Sequence, residues 1–396
     1  MQCGRPLLLR QPFPPDAFDQ VILGCVNVLA DEMNPARVAA LRLGMGERMT
    51  AFTVQINCGS GMQSIDTGFR YIREGSANLI LAGGAESLSH APLVYNRSAV
   101  NWYAKLFGAR SLGARLSALL ALRPSFFKPV IGLERGLTDP ITDLNMGQTA
   151  ELVAHLFHIT RRQSDEYAAE SQQRLAAAQK AGHLAGELEP AFARDGTVFD
   201  YDDGVRPDSS ADTLAKLKPA FERPWGQVTP GNSSQITDGA SWVILASEDA
   251  VREYKLTPKA VIVDSEWSAL DPSIMGLGPV YCSTALLQRH QLALADIDLW
   301  ELNEAFSAQV LGCLAAWEDA EFCRDALGLP GPAGCIPRDQ LNVDGGAIGT
   351  GHPVGASGNR IVLHLINAMK RLGKKRGIAT ECIGGGQGGA MLIEAI

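Results

Sequence analysis

The chain has 396 residues, 46% hydrophobic and 20% charged, with a formal net charge of -8. It is long enough to bury a large core and to form two or three domains, and its acidic balance excludes a nucleic-acid binder, which needs an excess of Lys and Arg on one surface. No apolar run approaches the roughly 18 residues of a membrane span, and the opening MQCGRPLLLRQPFPP is too short in apolar residues for a secretory core, so the expected location is cytoplasmic.

In chain order, FDQVILGCV (18–26) reads as a strand, and VQINCGSGMQSIDTGFRYI (54–72) puts Cys58 between an extended apolar run and a glycine-broken turn into a helix. ANLILAGGAES (77–87) is a second strand ending in glycines. A stretch without repeat follows over 91–223, expected as a loop-rich insertion covering the sheets. Within it, residues 102–137 carry Lys105, Arg110, Arg115, Arg123, Lys128 and Arg135 against Glu134, and SLGARLSALLALR is amphipathic at helical spacing. That pattern fits either a peripheral membrane or lipid-chain contact or a helix packed on its own protein. TRRQSDEYAAESQQRLAAAQKAG (160–182) and GNRIVLHLINAMKRLG (358–373) read as helices closed by glycine caps. KAVIVDSEW (259–267) and GIATECIGGGQGGAMLIEAI (377–396) read as strands. This alternation is that of an α/β fold.

A repeat of long period organises these elements. Residues 3–26 and 282–305 each give a helix-like segment, a short acidic turn and a strand, followed by a glycine-rich turn into a helix and a strand ending in glycines. The expected domains are an N-terminal half, 1–250, containing the insertion, and a C-terminal half, 251–396.

The eight cysteines are scattered with no C-x-x-C pair, so neither a metal site nor a disulfide framework is expected. Cys58 stands near a helix N-terminus, where free N–H groups and the helix dipole favour a thiolate, although an arbitrary cysteine is more often buried and inert. At the equivalent place in the second half, GGAIGTGHPVGASGNR sets His352 in a glycine-rich loop before a helix, and its spacing is wrong for a dinucleotide fingerprint. Cys382 leads CIGGGQGG, whose glycine N–H groups are free to bind an oxyanion. Two thiols and a histidine suggest proton transfer at carbon. Asn303, in ELNEAF, ends the repeat strand and reads either as a group holding water or a carbonyl oxygen, or as a turn residue.

INCGSGMQSI, AGGAESLSHAP, GNSSQITDGAS, NEAFSAQ, GHPVGASG and CIGGGQG, in that order over nearly the whole chain, resemble the thiolase family. The resemblance implies α/β/α/β/α layers with two similar mixed five-stranded sheets, an inserted loop domain over the coenzyme A site, and a homodimer or tetramer. It implies Cys58 as acyl-accepting nucleophile, His352 as its base and Cys382 as the second acid/base. Asn303, through a water, and His352 would form one oxyanion hole, and the N–H groups of Cys58 and Gly384 the other. Ser234 and Lys218 would lie along coenzyme A, Met146 and Met275 along the acyl pocket. Acyl-CoA and coenzyme A would be the substrates, with no metal. The sequence DGVRPDSSADTLAKLKPAF and the long basic insertion look most like thiolases of fatty-acid beta-oxidation that pair with a hydratase/dehydrogenase subunit. Biosynthetic acetoacetyl-CoA thiolase and a non-enzymatic lipid carrier on the same fold are the alternatives. A ketoacyl synthase is disfavoured by Cys382.

One departure stands out. The family nucleophile lies deeper, after an opening strand with an R-T-P motif, and here 259–267 has no counterpart before Cys3. The first strand of the N-terminal half is therefore expected to be missing, from the centre of its sheet, at roughly 1 to 3 kcal/mol for each group left unpaired.

Overall fold

The computed structural model describes residues 1–396. The first half runs through β1 (Gln20–Gly24), β2 (Thr50–Val54), α1 (Ser60–Arg73) and β3 (Leu79–Ser87). An inserted stretch carries α2 (Arg97–Gly108), α3 (Leu112–Leu120), α4 (Met146–Leu156) and α5 (Arg161–Ala181) before the chain returns in β4 (Asp238–Ala246). The second half runs β5 (Ala260–Ala269), α6 (Gly278–Arg289), β6 (Leu299–Leu302), α7 (Ser307–Glu318), α8 (Val354–Leu372), β7 (Arg376–Ile383) and β8 (Gln387–Ala395). No helix is long and apolar enough to cross a membrane.

The two sheets have matching topology, β2-β1-β3-β4 and β6-β7-β8-β5. In each, a parallel pair (β1 with β3, β6 with β7) continues into an antiparallel neighbour, β4 or β8. Four strands are hydrogen-bonded in each sheet, where five were expected. In the second half, the place of β2 is taken by a single parallel bridge between Trp300 and Leu341, because Asn342 at φ +46° turns the chain away at once. In the first half nothing corresponds to β5. Because β5 pairs only with β8, its missing counterpart is an edge strand beside β4 and not, as expected from the sequence, a central one. Edge groups reach water, so an unpaired group there costs less than one in an interior. A groove of about 720 Å³ runs along this edge, lined among others by Leu7, Trp242, Arg360 and His364.

Between the sheets lies a layer of two helices. One core cluster takes Ile22 and Ile80 from the first sheet, Ala379 and Met391 from the second, Met62 and Ile65 from α1, and Ile361 and Leu365 from α8. Backbones approach closely here: a Cβ on Gly61 would come within 2.7 Å of the Asn359 nitrogen, and one on Gly84 would strike the Gly355 carbonyl. Only glycine permits this spacing. Outer cores with Leu8, Val21 and Ala40 on one side and Leu286, Val310 and Trp317 on the other complete an α/β/α/β/α stack.

The insertion is more helical than expected. Capping boxes, Asn145 with Gln148 and Thr160 with Gln163, start α4 and α5, and Gly182 at φ +72° ends α5. Tyr167 and Ala168 of α5 join the core of the second half. By contrast α3 has no buried residue, and Leu112 (86% exposed), Leu116, Leu119 and Leu120 (80%) face solvent.

Candidate active site

The chain leaves β2, turns at Asn57 with φ +46° and enters α1 at Ser60. The Ser60 hydroxyl donates to the Asn57 carbonyl at 2.7 Å and accepts from the Ile56 N–H at 2.9 Å, which fixes the turn carrying Cys58. Cys58 keeps part of its surface open, yet desolvation pushes its thiol up to about 12, assisted by the nearby Glu381 and opposed by the N–H groups of Gly384 and of Cys58 itself. The thiolate expected from the helix terminus is thus not the resting form: burial outweighs the dipole. The turn carrying Cys58 is tied to the Gly384 turn of the other half, where the Asn57 side-chain amide donates to the Gly384 carbonyl at 2.7 Å.

His352 is buried on the loop leading into α8. Its Nδ1 lies 2.6 Å from the Ser357 hydroxyl, which donates to the Pro353 carbonyl at 3.1 Å. With that proton committed, Ser357 accepts from Nδ1–H, leaving Nε2 as the unprotonated nitrogen. Nε2 is buried with no protein partner. Burial, then the charge of Arg360, lowers the imidazole to about 4, so it is neutral at pH 7 and able to take a proton.

Asn303 places its amide nitrogen 3.5 Å from His352 Nδ1, with its Oδ1 unpartnered. The neighbouring Glu304 fixes that loop: it accepts from Tyr167 at 2.9 Å, Ser171 at 2.6 Å, Asn342 at 3.0 Å and the Ile348 N–H at 3.2 Å. Tyr167 and Ser171 lie on α5, so the insertion braces the catalytic loops.

Cys382 ends β7, fully buried, its thiol raised well above the ordinary range by desolvation and then by the charge of Cys58. It packs with Met275, Ala305 and Phe306, and against Met146, whose sulfur approaches Gly384. Cys58, Cys382, Gly384, Met146 and Met275 are therefore brought together, as are His352 and Asn303. Ser234 joins the edge of this group through its N–H, which donates to the Ala305 carbonyl at 3.0 Å. Lys218 is exposed on the loop after the 211–214 helix, and no polar contact ties it to the other residues.

Three residues escaped the sequence reading although they stand inside its motifs. Asn57 precedes Cys58, and its side-chain amide donates to the Gly384 carbonyl at 2.7 Å. Ser357 orients His352. Glu381, just before Cys382, is fully buried with both carboxylate oxygens unpartnered, and desolvation raises it well above the usual carboxylate range. Their identities are visible in the chain, but nothing local names their partners.

The family model for the thiolase N-terminal domain matches residues 2–249, and that for the C-terminal domain matches 256–395. The acetyl-CoA acetyltransferase of Chromobacterium violaceum is 37% identical over 394 residues, 98% of this chain and 91% of the relative. The mitochondrial trifunctional enzyme subunit beta of Mus musculus is 35% identical over 390 residues, 98% of this chain and 81% of the relative. Human mitochondrial 3-ketoacyl-CoA thiolase, solved in complex with CoA, superposes with a TM-score of 0.84 at 36% identity over 99% of this chain and 90% of that one. Topology, duplicated halves and these matches agree that the chain belongs to the thiolase family of acyltransferases.

Proposed function

We propose that the chain cleaves 3-ketoacyl-CoA with free coenzyme A, giving acetyl-CoA and an acyl-CoA shortened by two carbons, in fatty-acid beta-oxidation. His352 Nε2 takes the Cys58 proton as the sulfur attacks the C3 ketone carbon. The C2–C3 bond then breaks, its electron pair remains on C2 as the thioester enolate, and Cys382 protonates that carbon. Acetyl-CoA leaves and the acyl group stays on Cys58 as a thioester. Coenzyme A gives its thiol proton to the Cys382 thiolate and attacks the acyl carbonyl, and Cys58 leaves, recovering its proton from His352. The N–H groups of Cys58 and Gly384 would hold the oxyanion on the acyl carbon, and His352 with an Asn303-bound water the thioester oxygen of the departing acetyl-CoA. The observation that carries this reading is the joining of the Cys58 turn to the segment bearing the buried Cys382 and Gly384, through the Asn57 amide on the Gly384 carbonyl at 2.7 Å and through Gly59 packed against Ile383.

The finer features belong to the same proposal. Met146 and Met275 line the acyl pocket, Ser234 and Lys218 contact coenzyme A, and the protein works in the cytoplasm as a homodimer or tetramer, with a hydratase/dehydrogenase subunit as candidate partner. The α2–α3 hairpin, with Phe107 and the α3 leucines outward and Lys105, Arg110, Arg115 and Arg123 around them, suits a peripheral contact with an anionic membrane. Turnover of a series from acetoacetyl-CoA to 3-ketohexadecanoyl-CoA tests the activity. Thiolysis that persists or rises with chain length is expected. Turnover of acetoacetyl-CoA alone favours the biosynthetic alternative, and binding without turnover a lipid carrier.

A further inference from the structure

In the acyl-enzyme reading, the two N–H groups of the oxyanion hole, those of Cys58 and Gly384, come from loops far apart in sequence, the β2–α1 turn of the first half and the β7–β8 turn of the second. An oxyanion hole needs both donors aimed at one oxygen, and a displacement of about 1 Å costs on the order of a hundredfold in rate. The Gly384 turn has little stiffness of its own: Gly385 and Gly386 follow it, at φ +94° and +79°. Its far end is held where the Gly386 carbonyl accepts the Leu270 N–H at 2.8 Å. At the near end, the Gly384 carbonyl accepts the Asn57 side-chain amide at 2.7 Å. Asn57 is itself fixed, because its carbonyl takes both the Ser60 N–H at 3.1 Å and the Ser60 hydroxyl at 2.7 Å.

The residue type fits this double task. Asparagine tolerates the left-handed backbone at φ +46° better than most residues do, and it also carries an N–H donor. Glycine would meet the first requirement without the second. Aspartate would meet the first with nearly the same shape, but when ionised it only accepts hydrogen bonds.

We propose that Asn57 is a positioning residue for the reaction: by holding the Gly384 carbonyl it keeps the Gly384 N–H in register with the Cys58 N–H, so that two loops from different halves make one oxyanion hole. The proposal rests on the acyl-enzyme reading given above.

Asn57→Gly and Asn57→Asp, each checked for folding by thermal melting, are the test. Both should lower kcat for thiolysis by about ten- to a hundredfold, while KM for the ketoacyl substrate stays within about threefold, because the lost interaction acts in the transition state. In both, the pH midpoint for alkylation of Cys58 by iodoacetamide should rise, since the Gly384 N–H no longer steadies the thiolate. A purely structural role would lower the melting temperature and leave that midpoint in place. Wild-type kcat in either folded variant, or an unchanged alkylation midpoint, overturns the proposal. Should the glycine variant fail to fold, the near-isosteric aspartate variant decides. Absence of an acyl adduct on wild-type Cys58 would instead sink the acyl-enzyme reading, and the alkylation comparison, which needs no acyl group, would still report whether Asn57 holds Gly384.

Discussion

Cys58 and His352 are both neutral at rest, the thiol pushed up to about 12 and the imidazole down to about 4, each chiefly by burial. A thiol so far above the ambient pH is a poor nucleophile until a base removes its proton as bonding to carbon begins. His352→Ala should therefore slow acylation of Cys58 by roughly two to four orders of magnitude, read in single-turnover experiments; near-normal rates would make His352 structural. The depressed value also sets a pH dependence. A base with a folded pKa near 4 keeps its free lone pair as pH falls through 6.5 and is lost only near 4, so kcat/KM, which reports the free enzyme, should hold across that range. An acid limb centred at the ordinary histidine value would contradict this environment for His352. Cys58, His352 and Cys382 could be singled out in the sequence because each stands beside glycines that open a loop. Asn57 and Glu381 were not, since the partner of the one lies 327 positions away and the meaning of the other depends on having none.

At the level of elements, the alternation of apolar runs with 3.6-period stretches and the internal repeat carried the fold, and they carried it in the two halves better than in the insertion. Amphipathicity marks a helix face as apolar without saying what covers it. For α5 the answer is the core of the second half, through Tyr167 and Ala168. For α3 the protein supplies no cover, and Trp102 merely donates to the Ala118 carbonyl at 2.7 Å from the neighbouring helix. A surface of leucines ringed by arginines is costly in water and complementary to anionic lipid. Wild-type protein should cosediment with vesicles containing phosphatidylglycerol, less so as salt rises, and Leu112→Glu with Leu120→Glu should abolish this while leaving thiolysis intact. Absence of wild-type binding, or binding untouched by the two substitutions, would remove the membrane from the account. Strand order was equally beyond the sequence: that β5 sits at the edge of its sheet, paired only with β8, is a tertiary fact, and it places the equivalent position in the first sheet beside β4 and not at its centre.

Across the whole molecule, the duplication explains why chemistry occurs where it does. The two sheets enclose α1 and α8 in a shared middle layer, and the loops entering those helices carry Cys58 and His352, while the end of β7 and the turn after it bring Cys382 and Gly384 to the same place. Neither half alone carries the proposed nucleophile, its base and both proposed oxyanion donors. The insertion then braces the Asn303 loop through Glu304, which accepts from Tyr167 and Ser171 of α5. The claim on which all of this converges is that Cys58 carries the acyl group. Protein mixed with a 3-ketoacyl-CoA in the absence of free coenzyme A, quenched in acid, digested and weighed by mass spectrometry, tests it directly. An acyl thioester on the Cys58 peptide, discharged when coenzyme A is added, is the expected result. Acetyl-CoA release with no adduct on Cys58, or an adduct residing on Cys382 or another cysteine, would contradict it.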